Sequence, residues 1–133
     1  MTSFDAAGGV IATVRTTVDH PAELHVGDER RTHVGDELAG ELLGWEHFAA
    51  STADGTDEID AWVMRPADFD ETKRYPVLLN VHGGPHSQYG EYFHDEFQMQ
   101  AAAGFVVVLG NPRGSSGRHT GWGQAIQGPK HPT

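Results

Sequence analysis

The first part of the chain alternates apolar and polar positions with a period of two residues. Residues 10–18 (VIATVRTTV) carry β-branched side chains in this alternation and predict a strand. Residues 22–26 and 30–34 predict two further strands, joined by a three-residue hairpin loop at Gly27-Asp28-Glu29. Because these strands are short and carry little apolar surface, we expect them to be the end of a larger β structure.

A second β unit follows a turn, or a short helical turn, in residues 35–44. Residues 45–52 and 58–66 predict two strands. Asp54-Gly55 between them is a strong hairpin signal, because both residue types tolerate positive φ. The pattern therefore predicts a β hairpin, followed by a polar surface connection.

The pattern then changes to almost continuous apolar runs. Residues 75–81 (YPVLLNV) and 105–110 (FVVVLG) suit strands that are buried on both faces of a parallel sheet. The intervening segment predicts a helix from Tyr92 to Ala103 that ends at Gly104. Its apolar stripe is formed by Phe93, Phe97, Ala101, Met99, Ala102 and Ala103. A strand, a helix and a strand of these lengths form a βαβ unit, which indicates the α/β class.

Composition and charge exclude several classes of function. The 133 residues include 19 acidic and nine basic side chains, and the net charge is −10 at pH 7. Phosphate binding needs clustered lysine and arginine, so no nucleic-acid partner is expected. The absence of cysteine excludes disulfides and thiolate metal sites.

Membrane and export signals are also missing from the sequence. No apolar run approaches the roughly 20 residues of a membrane helix. The first residues have neither the basic region nor the apolar region of a signal peptide. We therefore expect a cytoplasmic protein with an acidic surface and no membrane partner.

The stretch VHGGPHSQYG, residues 81–90, places two histidines, two glycines and a proline directly after an apolar run. One interpretation is a metal site built on His82 and His86, which are four residues apart. That spacing brings two imidazoles to one face only within a helix, and the glycines and proline between them rule a helix out. No metal and no cofactor is therefore expected.

A second interpretation is a nucleotide-binding loop after residues 105–110. A P-loop requires GxxxxGK[ST], but this loop has no lysine. A dinucleotide fingerprint requires GxGxxG, whereas Gly110, Gly114 and Gly117 are spaced differently. Glycines that serve a tight connection between a strand and a helix explain the loop better.

A third interpretation of VHGGPHSQYG is a backbone hydrogen-bond cradle. His-Gly-Gly after an internal strand lets the main chain approach a ligand closely, because no Cβ intervenes. Backbone N–H groups at that position can stabilise a developing oxyanion, as the corresponding loop does in α/β-hydrolases. This interpretation fits the residues best.

The runs YPVLLNVHGGPHSQ and FQMQAAAGFVVVLGNPRGSSG resemble the start of the catalytic domain of the prolyl oligopeptidase family, in its acylaminoacyl-peptidase and dipeptidyl-peptidase branch. The resemblance covers about residues 20–127. It implies that residues 44–133 are the N-terminal part of an α/β-hydrolase domain, with a β hairpin and then the strand, helix and strand of a mostly parallel sheet. Residues 1–43 would be the last strands of a β-propeller.

The resemblance also implies roles for single residues. Gly84 matches the glycine whose backbone N–H is one oxyanion donor, and Gly83 permits the close approach. His82 and Pro85 would shape the loop. Arg113 resembles a loop arginine of the family, and we assign it a structural ion pair ahead of a catalytic role.

The family's nucleophile stands in a G-x-S-x-G elbow, which does not occur in these 133 residues. Ser115 and Ser116 lie in the wrong context to replace it. The resemblance therefore implies a fragment of a serine peptidase for short peptides, inactive alone, whose partner is the remainder of the hydrolase domain. The alternatives are a non-catalytic interaction module with an open apolar edge at residues 75–81, or part of a related esterase.

Overall fold

Backbone hydrogen bonding forms two four-stranded sheets among the residues that the structure describes. The computed structural model describes residues 3–38, 40, 42–84 and 86–128. Two short α-helices accompany the second sheet. Among the described residues, no helix combines the length and the apolar character needed to cross a membrane.

The first sheet is an antiparallel meander in which neighbouring strands follow one another along the chain. Its strands are β1 (Ser3–Ala7), β2 (Val10–Thr17), β3 (His20–Val26) and β4 (Glu29–Arg30). The strands predicted at residues 10–18 and 22–26 are confirmed. β1 is an additional strand that pairs with β2 along its whole length.

The strand predicted at residues 30–34 is wrong beyond Arg30, and the hairpin loop before β4 has two residues rather than three. The Thr32 hydroxyl accepts a hydrogen bond from a β3 backbone N–H at 2.9 Å and donates to the buried carboxylate of Glu23. The other carboxylate oxygen accepts the Gly35 N–H at 2.8 Å. These two bonds hold the pKa of Glu23 below its usual value. The strand stops because the Thr32 hydroxyl binds the Leu24 N–H in place of a backbone carbonyl.

The second sheet is mixed, with the strand order β5-β6-β8-β7. β8 lies inside the sheet, antiparallel to β6 and parallel to β7. The β5–β6 hairpin is confirmed, with its turn at residues 52–57. The elements are β5 (Glu46–Ser51), β6 (Glu58–Met64), β7 (Val77–Asn80), α1 (Asp95–Ala102), β8 (Val106–Gly110) and α2 (Thr120–Gln124). A 3₁₀ turn at Asp36–Leu38 lies in the segment where the sequence predicts a turn.

The core of the second sheet lies between β6, β8 and α1. It consists of Trp62, Met64, Phe97, Ala101, Val107 and Leu109. Of the predicted helical stripe, Phe97 and Ala101 are buried, whereas Met99, Ala102 and Ala103 are exposed. The sequence predicts too wide an apolar stripe. Met99 lies two positions from Phe97, so its side chain points about 200° away from Phe97 around the helix.

The helix α1 also begins later than the sequence predicts. The Tyr92 N–H is bonded to the Gly90 carbonyl at 2.9 Å, and His94 has an extended backbone, so the helix starts at Asp95 rather than at Tyr92. At the other end Gly104 follows the C-cap with φ +91°, as the sequence predicts.

A buried amide on α1 connects the second sheet to the segment that precedes it. The Gln98 side chain accepts the Leu43 N–H at 2.9 Å and donates to the Leu43 carbonyl at 2.8 Å. The Phe93 N–H donates to the Thr16 hydroxyl of β2 at 3.2 Å. The two sheets are therefore linked by hydrogen bonds, and the described core is built around the second one.

The expectation that residues 75–81 are buried on both faces is wrong in this chain. Only Val77–Asn80 form a strand, and Val77 and Leu79 are 61% and 67% exposed. The reason is that these two residues lie on one face of the sheet, since they alternate with half-buried neighbours, and α1 packs against the opposite face. An apolar hollow of about 390 Å³ lies on this part of the sheet and includes Phe48, Ile59 and Leu79.

We predict that Met64→Ala lowers the free energy of unfolding by about 2–5 kcal/mol, because it leaves a cavity in the core. Met64 is fully buried, whereas Met99 is 70% exposed and provides the matched control. Met99→Ala should change the stability by no more than about 0.5 kcal/mol. Urea denaturation followed by tryptophan fluorescence measures both variants, and equal losses would contradict this assignment of the core.

Candidate active site

The parallel pairing of β7 and β8 determines where the two glycine-bearing loops meet. Asn80 at the end of β7 is paired with Leu109 near the end of β8. Both strands therefore end at the same edge of the sheet. The loop that follows β7, residues 81–94, and the loop that follows β8, residues 111–119, leave the sheet side by side.

Gly84 occupies a conformation that glycine alone adopts readily. Its φ is +135°, and a Cβ at this position would lie 2.7 Å from the Ser87 nitrogen and 2.8 Å from the His86 nitrogen. A Cβ on Gly83 would meet nothing within 4 Å. Pro85, which the sequence assigns to loop shape, lies outside the described residues. The chain thus curls tightly directly after Gly84.

Both nitrogens of the His82 ring have partners, one in its own loop and one in the loop after β8. Nδ1 lies 3.0 Å from the Gly83 carbonyl oxygen, and Nε2 lies 2.8 Å from the Ser115 hydroxyl. Because a carbonyl can only accept, Nδ1 carries the proton, and Nε2 of the neutral ring accepts from Ser115. The Tyr89 ring packs edge-on against the imidazole, with centroids 5.3 Å apart.

Further hydrogen bonds join the two loops on the other side of Gly84. His86 Nδ1 donates to the Gly114 carbonyl at 3.0 Å, and the Ser116 N–H donates to the Ser87 carbonyl at 2.9 Å. The Asn111 side chain accepts the Tyr89 N–H at 2.8 Å and donates to the Tyr89 carbonyl at 2.9 Å. The chain on both sides of Gly84 is therefore held by the loop that follows β8.

These contacts bear on the two other interpretations of the glycine-bearing loops. His82 and His86 direct ring nitrogens at groups of the protein rather than at a shared point. In the loop after β8, the N–H groups of Gly114, Ser115 and Ser116 all donate to backbone carbonyls, so they do not form a phosphate cradle.

A different group of side chains, far from both loops in the sequence, has the composition of a metal site. His20, Glu23 and Asp36 place possible ligand atoms within 4.8 Å of one another. The Arg30 guanidinium lies among them, 2.8 Å from an Asp36 oxygen and 3.2 Å from His20 Nε2. This arginine already supplies the cation, and Glu23 is engaged by Thr32 and Gly35.

Arg113 anchors the loop after β8 to the turn of the β5–β6 hairpin. Its Nη1 lies 2.6 Å from Asp54 Oδ2, and its Nη2 lies 2.5 Å from Asp57 Oδ2. The guanidinium holds the pKa of both carboxyls below their usual range, with further bonds from Thr52 and Thr56 acting on Asp54. The carboxylates in turn raise the pKa of Arg113.

The Ser115 hydroxyl lies as close to His82 as a nucleophile lies to its general base. The sequence did not indicate this contact, because the two residues are 33 positions apart. Ser115 is only 2% exposed, and the second nitrogen of His82 faces a backbone carbonyl rather than a carboxylate. A substrate carbonyl cannot reach this hydroxyl. The pair is therefore part of the loop structure, and only the paired loops could have revealed it.

The chain is similar over most of its length to proteins named as peptidases. It is 39% identical over 125 residues to the uncharacterized peptidase YuxL of Bacillus subtilis, which covers 89% of this chain and 19% of that protein. It is 41% identical over 71 residues to dipeptidyl-peptidase 5 of Aspergillus fumigatus, which covers 52% of this chain and 9% of that protein. No family model matches the chain.

The fold is similar to that of a solved structure, the acylaminoacyl peptidase of Pyrococcus horikoshii. The TM-score is 0.79 at 33% sequence identity, covering 95% of this chain and 21% of that chain. The chain thus spans between 9% and 21% of the length of these three relatives. Since 95% of the chain is covered, the similarity includes both sheets.

We predict that Gly84→Ala destabilises the protein by about 1–3 kcal/mol, because it forces a Cβ into a positive-φ position against two backbone nitrogens. Gly83→Ala is the matched control, since the space around its Cβ is open, and it should cost no more than about 0.5 kcal/mol. Urea denaturation compares the two variants. Indistinguishable midpoints would show that the loop is not constrained at Gly84.

We predict that Arg113→Met makes the free energy of unfolding less dependent on pH in the acidic range. The folded-state pKa of Asp54 and Asp57 lies below the unfolded value, near 3.9, so the ion pairs stabilise the protein above that value and this contribution is lost as the pH falls. The variant should be less stable than the wild type at pH 7. It should also lose less of its stability between about pH 5 and pH 2.

Urea midpoints at several pH values test this prediction for Arg113→Met. Arg74→Met, which removes an exposed arginine before β7, is the control and should keep the acid dependence of the wild type. Parallel curves for the wild type and Arg113→Met would contradict the prediction.

Proposed function

Since the chain belongs to the prolyl oligopeptidase family, we propose that it is the part of a serine peptidase that supplies the oxyanion-hole loop. The observation that carries the proposal is the loop around Gly84. This glycine lies just beyond the carboxyl end of a parallel strand, has a positive φ, and is held on both sides by a second loop. Preorganised backbone N–H groups of this kind stabilise the oxyanion in acyl transfer.

In the proposed reaction a serine attacks the carbonyl carbon of a short peptide, and negative charge develops on the carbonyl oxygen. The Gly84 N–H donates a hydrogen bond to that oxygen, and Gly83 lets the substrate come close because it has no side chain. The tetrahedral intermediate then expels the amine and leaves an acyl-enzyme, which water hydrolyses. The serine and its histidine and aspartate are expected outside these 133 residues, because Ser115 is buried.

The proposed domain division follows the two sheets. We assign residues 44–133 to the N-terminal part of an α/β-hydrolase domain. The hairpin, the strand order β5-β6-β8-β7 and the helix between two parallel strands support this assignment. We assign residues 1–43 to the end of a β-propeller, which the four-stranded antiparallel meander supports. A cytoplasmic location stays a prediction from the sequence.

A second candidate is a non-catalytic interaction module, and the exposed edge of the second sheet favours it. Val77, Leu79 and Val81 are all more than half exposed on or next to the edge strand β7. Exposed apolar edges pair readily with another chain. The proposed partner is the complementing remainder of a hydrolase domain. In the proposed peptidase, the partners are this remainder and a peptide substrate. A related esterase would use the same backbone hydrogen-bond cradle around Gly84.

We predict that a fluorophosphonate probe, which reacts with activated serines, does not label the 133-residue chain. A longer protein that contains the chain should be labelled and should hydrolyse dipeptidyl or N-acyl-aminoacyl p-nitroanilides. Stoichiometric labelling of any serine in the short chain would overturn the assignment of roles. A folded longer protein that neither reacts nor hydrolyses these substrates would favour the interaction module.

A further inference from the structure

The Gly83–Gly84 peptide group connects His82 to the direction of the Gly84 N–H. A peptide group is planar and trans, so the Gly83 carbonyl and the Gly84 N–H form one rigid unit and point in opposite directions. The His82 Nδ1–H donates to this carbonyl oxygen at 3.0 Å. Any group that holds the carbonyl in place therefore also determines where the Gly84 N–H points.

The orientation of the His82 ring depends in turn on Ser115. A neutral imidazole has one N–H donor and one acceptor nitrogen, and the partner of one nitrogen determines the state of the other. Because the Gly83 carbonyl can only accept, the proton lies on Nδ1, and the Ser115 hydroxyl donates to Nε2 across 2.8 Å and holds the ring in place. The other tautomer would direct the Nδ1 lone pair at the carbonyl oxygen, and two acceptors would repel each other.

We propose that Ser115 is a positioning residue of the oxyanion hole. Its hydroxyl holds the His82 ring in the orientation in which Nδ1–H donates to the Gly83 carbonyl, and thereby aims the Gly84 N–H. The effect on catalysis rests on the proposed function, whereas the hydrogen-bond relay is a property of this chain. The relay also accounts for a buried serine placed at hydrogen-bond distance from a histidine without access to a substrate.

Both ends of the relay are fixed by their surroundings. The Ser115 N–H donates to the Pro112 carbonyl at 3.0 Å, which holds the serine within the loop after β8. The imidazole of His82 packs edge-on against Tyr89. The backbone of Tyr89 is bonded twice to the Asn111 side chain. Neither the hydroxyl nor the ring can therefore move far without breaking other contacts.

The relay is tested in the 133-residue chain by ¹⁵N NMR of the His82 ring at a pH where it is neutral. The wild type should show a hydrogen-bonded Nδ1–H that exchanges slowly with solvent, and Ser115→Ala should speed that exchange about tenfold, because the ring loses the hydrogen bond that holds it. Ser116→Ala is the matched control, because this neighbouring hydroxyl contacts Gln88 and not the ring. A wild-type exchange rate of the His82 Nδ1–H in a folded Ser115→Ala chain would overturn the relay.

The effect on catalysis is tested in the longer protein that contains the chain, with rates expressed per active site labelled by the fluorophosphonate probe. Ser115→Ala should lower kcat about tenfold or more at unchanged KM, because a misdirected N–H weakens an interaction made mainly in the transition state. Ser115→Thr keeps the hydroxyl and should recover most of kcat. Ser116→Ala should keep the wild-type kcat.

The outcomes distinguish this proposal from the proposed function. If the longer protein hydrolyses no peptide but Ser115→Ala speeds the exchange of the His82 Nδ1–H, the proposed function fails and the relay stands. If the wild type is active and Ser115→Ala keeps the wild-type kcat per labelled site, the positioning role is wrong while the peptidase assignment stands. A loss in Ser115→Ala that Ser115→Thr does not recover would also contradict a role for the hydroxyl.

Discussion

The parallel pairing of β7 and β8 is the constraint on which the candidate site depends. Parallel strands end at the same edge of a sheet, so the loops that follow them must emerge next to each other. If the pairing were antiparallel, residues 81–94 and 111–119 would lie at opposite ends of the sheet. His82 could then not contact Ser115. The arrangement around Gly84 thus follows from strand topology before any single side chain is considered.

Once the loops are adjacent, the need to satisfy backbone polar groups explains most of their contacts. The two loops have no continuous ladder of their own, and several of their N–H and C=O groups are paired with each other or with nearby side chains. Asn111 acts on the Tyr89 backbone in the way that a neighbouring strand would. The Gly84 curl is the most constrained point, because a Cβ would collide with the turn that follows. Hydrogen bonds within the protein therefore hold the loop in one shape.

The site is also supported from the hairpin that begins the second sheet. Arg113 binds Asp54 and Asp57, so the loop after β8 is attached to the turn between β5 and β6. These groups are partly exposed, and ion pairs at such positions are worth little individually. Here the guanidinium reaches both carboxylates and the Thr56 hydroxyl at once, which restricts the loop geometrically. The charged hairpin turn thus holds the loop after β8, and that loop in turn holds the residues around Gly84.

The sequence by itself determined the order of the strands in the second sheet's hairpin and βαβ unit, the glycine that ends α1, and the loop in which the candidate donor Gly84 lies. These features are local, because residue periodicity and glycine placement act over a few neighbouring positions. Local pattern did not predict the early end of β4, since the Thr32 hydroxyl binds a backbone N–H of β3 there in place of the ladder. It also overestimated the burial of residues 75–81, because an apolar run does not reveal whether both faces of its sheet are covered.

Only the tertiary structure decided that Ser115 contacts His82, that Arg113 is held by Asp54 and Asp57, and that β7 lies at an edge. Each of these facts depends on residues far apart in the chain, and no spacing rule relates them. Pairing of distant strands brings such residues together, and the strand order follows from how the whole sheet buries its apolar faces. The local sequence therefore determines that a glycine with an accessible backbone stands at position 84. The direction of its N–H depends on contacts that only the folded sheet creates.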